Sequence, residues 1–351
     1  MDLRQFNPLK VLNHWQMLNG IIAGKNPYPI SCEIDPSNVC NHSCIWCIND
    51  KFRKENNFIL PRDLMFRIIK EMAVSKVKSI AFTGGGEPLV NPATIDAILL
   101  TRRLKLDTGL VTNGELLDLN KCHVIVDNCS YVRISLDAAS GDTHRIVHSP
   151  VNQNKDVLRV VLRNIETLVK IRNMKKKNIT IGIGYLVSVH NYHEILKAVK
   201  LVNNLGVDYI QIRPAFIPGE QLSGKIRFET EKLIQEAIKL SNHNFHVFPI
   251  LHRFDEVINL DRAYERCLGH ALVGVVAANA KMYICCQLRG IEKFCIGDLR
   301  KQKFSQIWKG KRRKEVIKRI NLDYCPPCRY NKYNELLDYL AKENKPHKNF
   351  L

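Results

Sequence analysis

The chain has 351 residues, 45% hydrophobic and 25% charged, an ordinary composition for one large folded domain or a domain with a small appendage. No run is long and apolar enough to span a bilayer, and the first residues lack the apolar stretch of a secretory signal, which predicts a soluble, cytoplasmic protein. Twelve cysteines in such a chain argue for metal or cluster ligands over a disulfide scaffold, and the net charge of +19 points to acidic partners without specifying nucleic acid.

In chain order, residues 1–29 read as a helical lead-in. Short β-prone runs follow at 31–35, 77–83, 107–112, 131–136, 178–186 and 207–213. Segments with helical spacing lie between them at 62–73, 92–104, 155–173 and 191–204. This alternation predicts βαβ units and an α/β fold over 30–250, a partial (β/α)6 TIM-like barrel, with a doubly wound sheet as its structural rival. From 255 to 335 the pattern changes to a small cysteine-bearing module. It opens on a β-hairpin, 271–277 and 281–285, and continues with helical spacing at 301–320 and 331–342, leaving 336–351 as a C-terminal tail.

The chemistry-bearing residues cluster at the ends of the predicted strands. After the first strand, Cys40, Cys44 and Cys47 form a CxxxCxxC loop. Three thiolates at this spacing can grip one iron–sulfur cluster and leave a fourth metal corner open, or hold a structural zinc with His42 as a further ligand. After the second strand comes Thr83-Gly-Gly85-Gly86-Glu87-Pro, a glycine-rich turn without the Lys-Ser/Thr of a phosphate-binding loop. Thr112-Asn113-Gly114 follows the third strand as a turn. In the fourth, alternation puts Ser135 and Asp137 on one face, with a helix-capping Asp as the competing reading. In the sixth, Gln211 and Arg213 share a face that would point into a barrel. An inward arginine is costly without an anion, so Arg213 is a candidate for holding a carboxylate or phosphate, with a structural ion pair as the alternative.

The loop Cys40-Asn-His-Ser-Cys44-Ile-Trp46-Cys47 resembles the signature of the radical S-adenosylmethionine (SAM) superfamily, CxxxCxΦC with an aromatic residue at Φ. That resemblance implies a [4Fe–4S] cluster on Cys40, Cys44 and Cys47, SAM as cofactor, and reductive cleavage of SAM to a 5′-deoxyadenosyl radical. It further implies that Trp46 lies near the adenine, that Gly85, Gly86 and Glu87 receive the methionine amino group, and that Asn113, Ser135 and Asp137 contribute cofactor contacts. A flavodoxin- or ferredoxin-type protein would supply the electrons.

The later cysteines, Cys267, Cys285, Cys325 and Cys328, resemble the twitch module, a shortened SPASM domain holding an auxiliary [4Fe–4S] cluster. A four-thiolate zinc knuckle has the same donor set, and Cys286 could replace Cys285 as ligand. Cys286 and Cys295 exceed the ligand count, and a free thiol near substrate could donate a hydrogen atom, as in radical SAM epimerases. The family then implies dehydrogenation or epimerisation of a small polar substrate, a sugar, cyclitol or nucleotide derivative, anionic if Arg213 contacts it. Two further readings stay open: a peptide- or protein-modifying maturase, and a zinc-containing RNA-associated protein.

Overall fold

A computed structural model describes residues 6–152, 154–217 and 219–342. The first five residues of the lead-in and the tail beyond 342 lie outside them. All six expected strands form, as β1 (Ser31–Ile34), β2 (Ser79–Phe82), β3 (Asp107–Thr112), β4 (Tyr131–Ser135), β5 (Thr180–Val187) and β6 (Tyr209–Pro214). Neighbours in this series pair in parallel, and β7 (His246–Pro249) adds a short seventh strand beside β6. The sequence HVFP is too brief to stand out by periodicity.

The C-terminal hairpin is β8 (Val273–Val276) and β9 (Lys281–Tyr283), with β10 (Cys295–Asp298) antiparallel to β9. β8 pairs in parallel with β1, so the ten strands of the described residues form one sheet in the order β10-β9-β8-β1-β2-β3-β4-β5-β6-β7. The sheet does not close: β7 and β10 are its edges, which makes the barrel partial. The expected helices are present at Arg62–Val74, Ala93–Arg103, Val157–Met174, Ile195–Asn204 and Asn331–Ala341. The 301–320 stretch is two helices, Phe304–Lys309 and Lys311–Lys318, parted at Gly310.

Strand alternation sorts the barrel into two sides. Ile80, Phe82, Val132, Ile134, Ile181, Ile183, Ile210 and Ile212 pack under the helices as the main core. The other face lines the interior. At one end Tyr131 and Tyr209 enter over two positions where a side chain would not fit: a Cβ at Gly109 would sit 2.3 Å from the Tyr131 ring, and one at Gly182 would sit 2.0 Å from the Tyr209 ring. Phe6 packs edge-on against Tyr209 and Phe248, each at 5.2 Å, and completes an aromatic floor. Above that floor the interior is polar, with Glu33 on β1, Arg133 on β4 and Gln211 on β6.

Candidate active site

The CxxxCxxC loop leaves β1 at the polar end of the barrel and is tied down on three sides. Ser43 N donates to the His148 and Ser149 carbonyls and Ile45 N to that of Val147, stitching the loop to the end of the Gly141–His148 helix. Arg53 Nη1 donates to the His42 carbonyl (2.8 Å), and Cys47 N to that of Cys44 (3.1 Å). The thiols of Cys40, Cys44 and Cys47 are free and half-buried, while Cys32, Cys122 and Cys129 lie in the core. Burial pushes Cys40 up to about 12 and raises Cys47 as well.

The glycine-rich turn after β2 lies against this loop. A Cβ on Gly86 would stand 2.2 Å from the Val39 carbonyl oxygen, so only glycine lets the two backbones meet. Glu87 is buried and fully engaged: Thr112 Oγ1 donates to it (2.7 Å), as do Asn113 N (2.8 Å) and Leu89 N (3.1 Å). Burial still raises its pKa, with the three hydrogen bonds working the other way. Asn113 extends the chain, donating from Nδ2 to Asn41 Oδ1 at 2.8 Å. Glu87 and Asn113 therefore bind the loops after β1, β2 and β3 into one unit.

Asp137 departs from the alternation that placed it beside Ser135. β4 ends at Ser135, and Asp137 takes a left-handed φ of 52°, which turns its carboxylate toward β5 and the 141–148 helix. Leu186 N donates to Oδ1 (2.6 Å), and His148 Nε2 lies 3.2 Å from Oδ2, so both oxygens already have partners. Ser135 remains on the interior face. Trp46 is buried against Ala138, Val147 and Ala215 and forms an apolar wall beside the loop.

Two histidines of the HxxxH pair in 144–148 were missed by the sequence reading. His148 Nδ1 lies 3.3 Å from Cys44 Sγ and 3.4 Å from His42 Nδ1, and His42 Nε2 lies 3.0 Å from Glu115 Oε2. Burial works to lower His148, but Cys44 and Asp137 outweigh it and carry it up to about 10. Burial and the adjacent His148 lower His42 to about 4. His42, Cys44 and His148 are also close enough together to share one metal ion. Their signal was the four-residue spacing, which stacks His144 on His148 at 4.6 Å on one helix face.

The second cysteine group closes around a cavity lined by Cys267, Cys285, Cys286, Cys325 and Cys328. Distant segments bring these residues together. Asn334 Oδ1 accepts from Leu268 N (2.8 Å) and Gly269 N (2.6 Å), fixing the turn after Cys267. Arg262 donates to the carbonyls of Leu322 and Cys325, both at 2.7 Å, and Gln287 Nε2 donates to that of Pro327 (2.9 Å). Burial pushes Cys328 up to about 12 and raises Cys267 and Cys325. Five thiols line this void, enough for a closed four-ligand centre with one to spare.

Cys286 belongs partly to another environment. Its thiol is buried 3.8 Å from Arg329 Nη1, which itself reaches Glu33 on β1 at 2.8 Å. Cys286 thus stands between the cysteine cavity and the barrel interior. Cys295 does not join it: on edge strand β10 it packs with Ala277 and Tyr283, its Sγ 3.6 Å from the Gly297 carbonyl. Arg213 does reach the interior and makes no hydrogen bond or ion pair among the described residues, so the structural ion pair weighed for it is not formed.

The sequence model of the radical SAM superfamily matches residues 34–188, from β1 through β5. The chain carries a radical SAM domain. A second model, for the SPASM iron–sulfur cluster-binding domain, matches residues 267–330 and takes in all five cavity cysteines. As a radical SAM protein the chain is an enzyme of SAM and iron–sulfur chemistry. Among curated relatives it is 21% identical over 285 residues to the tungsten-containing aldehyde ferredoxin oxidoreductase cofactor-modifying protein of Pyrococcus furiosus, covering 78% of this chain and 79% of that one. It is 26% identical over 170 residues to the probable GTP 3′,8-cyclase of Methanothermobacter marburgensis, covering 47% of this chain and 51% of the cyclase. Its fold is similar to SuiB of Streptococcus suis bound to SAM, with a TM-score of 0.65 at 14% identity, covering 89% of this chain and 73% of SuiB. It is likewise similar to anSMEcpe with bound SAM, with a TM-score of 0.63 at 18% identity over 88% of each chain. No helix of the described residues is long and apolar enough to cross a membrane.

Proposed function

We propose that this radical SAM enzyme carries one [4Fe–4S] cluster on Cys40, Cys44 and Cys47 and a second on Cys267, Cys285, Cys325 and Cys328, and oxidises a peptide or protein side chain. The observation that carries the two-centre reading is the split in thiol geometry: three half-buried thiols on one loop, against five around one cavity, one more than a four-thiolate centre needs. Support for a peptide substrate comes from the near-full-length likeness to SuiB, also solved with its precursor peptide SuiA, and to anSMEcpe, also solved with peptides. A small polar substrate such as a nucleotide, sugar or cyclitol derivative is the second reading, favoured by the partial sequence match to probable GTP 3′,8-cyclases.

When bound, the first cluster, reduced by a flavodoxin- or ferredoxin-type protein, supplies the electron that splits SAM into methionine and a 5′-deoxyadenosyl radical, and the second offers an electron sink. The chain's own residues set the geometry. Gly85 and Gly86 bring backbone close to the three-cysteine loop, while Glu87 and Asn113 lock the loops that surround it. Asp137 and His148 buttress Cys44 from behind, and Ser135 offers a hydroxyl to the interior. Trp46 shields that side of the site from water. Cys286, between cavity and barrel, is the thiol placed to return a hydrogen atom to a substrate radical. Cys295, on the outer edge, has no part in this scheme.

Anaerobic purification with iron, sulfide and zinc analysis tests the proposal. About eight irons per chain are expected, with 5′-deoxyadenosine formed on adding SAM and reductant. Zinc in place of iron, within the His42, Cys44 and His148 cluster or the cysteine cavity, would overturn it. Whichever fraction of a cell extract raises 5′-deoxyadenosine formation, polypeptide or low molecular mass, separates the two substrate classes.

A further inference from the structure

The barrel interior holds more positive charge than its carboxylates neutralise. Arg133 projects from β4 and Gln211 from β6, strands separated by β5, and they meet across the concave interior. Arg133 Nη1 donates to Gln211 Oε1 at 3.3 Å. Its side chain crosses β5 at Gly184, where an added Cβ would already touch Arg133 Cδ at 3.8 Å. Two residues beyond Gln211, Arg213 has its Nε sealed from solvent without a partner.

The nearby acids are committed elsewhere. Glu33 faces Arg329 at 2.8 Å and Arg289 at 3.4 Å, and Asp35 faces Arg289 at 2.7 Å. Asp137 is held by Leu186 N and His148, and Glu256 lies 3.5 Å from Arg253. Arg133 and Arg213 are left without a carboxylate partner among the described residues. Burial, then repulsion from Arg133, Arg329 and Arg253, brings Arg213 down to about 9, with Asp137 opposing. Two enclosed guanidiniums facing the same space are unfavourable unless an anion joins them.

We infer that Arg133 and Arg213, with Gln211 bracing Arg133, form a binding site for a carboxylate or phosphate group of the substrate, separate from the carboxylate of SAM. The position supports that separation. The glycine-rich turn, Asn113 and Ser135 stand at the ends of β2, β3 and β4, whereas Arg133 lies two residues before the end of β4 and Arg213 comes from β6. Arg329, one of the cations that repel Arg213, lies beside Cys286, so the anion would sit on the side of the barrel that faces the second cysteine group. The inference rests on the barrel interior being the reaction chamber, and holds for an acidic peptide side chain as for a small phosphorylated or carboxylated molecule.

The test uses the anaerobically reconstituted full chain, saturated with SAM and titrated calorimetrically with inorganic phosphate and with glutarate at low ionic strength. Wild type is expected to bind at least one probe with 1:1 stoichiometry. Arg213→Gln and Arg133→Gln should each weaken that binding about tenfold or more, with Arg213→Lys intermediate. SAM affinity, measured without probe by equilibrium dialysis, should stay within about twofold. Iron content and far-UV circular dichroism establish that each variant is folded, and the lysine variant preserves the test if a glutamine variant is not. Equal probe binding by wild type and variants overturns the inference. So does absence of probe binding to SAM-saturated wild type; if Arg213→Gln then also loses SAM affinity, the arginines belong to the carboxylate of SAM. SAM cleavage without substrate is scored separately, so that failure of the two-cluster proposal is not mistaken for failure of this one.

Discussion

The two cysteine sites solve the same chemical problem in opposite ways. The first is local: Cys40, Cys44 and Cys47 lie on one loop, and what surrounds them is hydrogen-bonded backbone from the β2 and β3 turns and the 141–148 helix. The second is assembled from segments spread between 267 and 328, joined by Arg262, Gln287 and Asn334 reaching across the module. A local site keeps its donors together even when its surroundings loosen, and can leave a metal corner free for a ligand. An assembled site exists only when the module is folded, so metal binding there adds directly to stability. The contrast assigns chemistry to the loop and scaffolding with electron storage to the cavity.

Breaking the local site should have the largest effect. The triple variant Cys40→Ala, Cys44→Ala, Cys47→Ala should abolish 5′-deoxyadenosine formation by more than about a thousandfold, roughly 4 kcal/mol in barrier terms, and lower bound iron to about half. Full iron retention would end the two-site picture. Cys328→Ala should also halve the iron, yet leave substrate-free SAM cleavage measurable. Its cost should fall on stability, about 4 kcal/mol in denaturant unfolding, with proteolysis beginning in 255–342. Glu87→Ala removes three buried hydrogen bonds, and a loss of about 2–3 kcal/mol with weaker SAM binding is expected from the same measurements. The smallest effect separates neighbours: Cys286→Ser should leave iron content unchanged and alter only the products formed. If iron falls by half, Cys286 rather than Cys285 is the ligand.

The parts of this molecule legible in its sequence are those governed by spacing and period. Six parallel strands showed as β-prone runs between helical segments, and the hairpin showed as two such runs around Ala278-Asn279-Ala280. β7 did not, because four residues carry no period. The docking of β8 onto β1 was equally hidden, since strand partners distant in sequence leave no local trace. Within the site, the cysteine spacing and the glycine-rich turn were readable. The reorientation of Asp137 was not, because a single left-handed residue at a strand end reverses what alternation implies. Nor was the Arg133–Gln211 contact, which depends on the curvature that brings β4 and β6 to face each other over a glycine.

The floor of Phe6, Tyr131, Tyr209 and Phe248 makes the barrel a cul-de-sac at that end. Reactants therefore come and go by way of the loop face at the polar end. Such a dead end orders traffic: whatever lodges deepest must arrive before the outer tenant and depart after it. It also keeps bulk water from reaching a highly reactive carbon centre from below, where quenching would waste the cofactor.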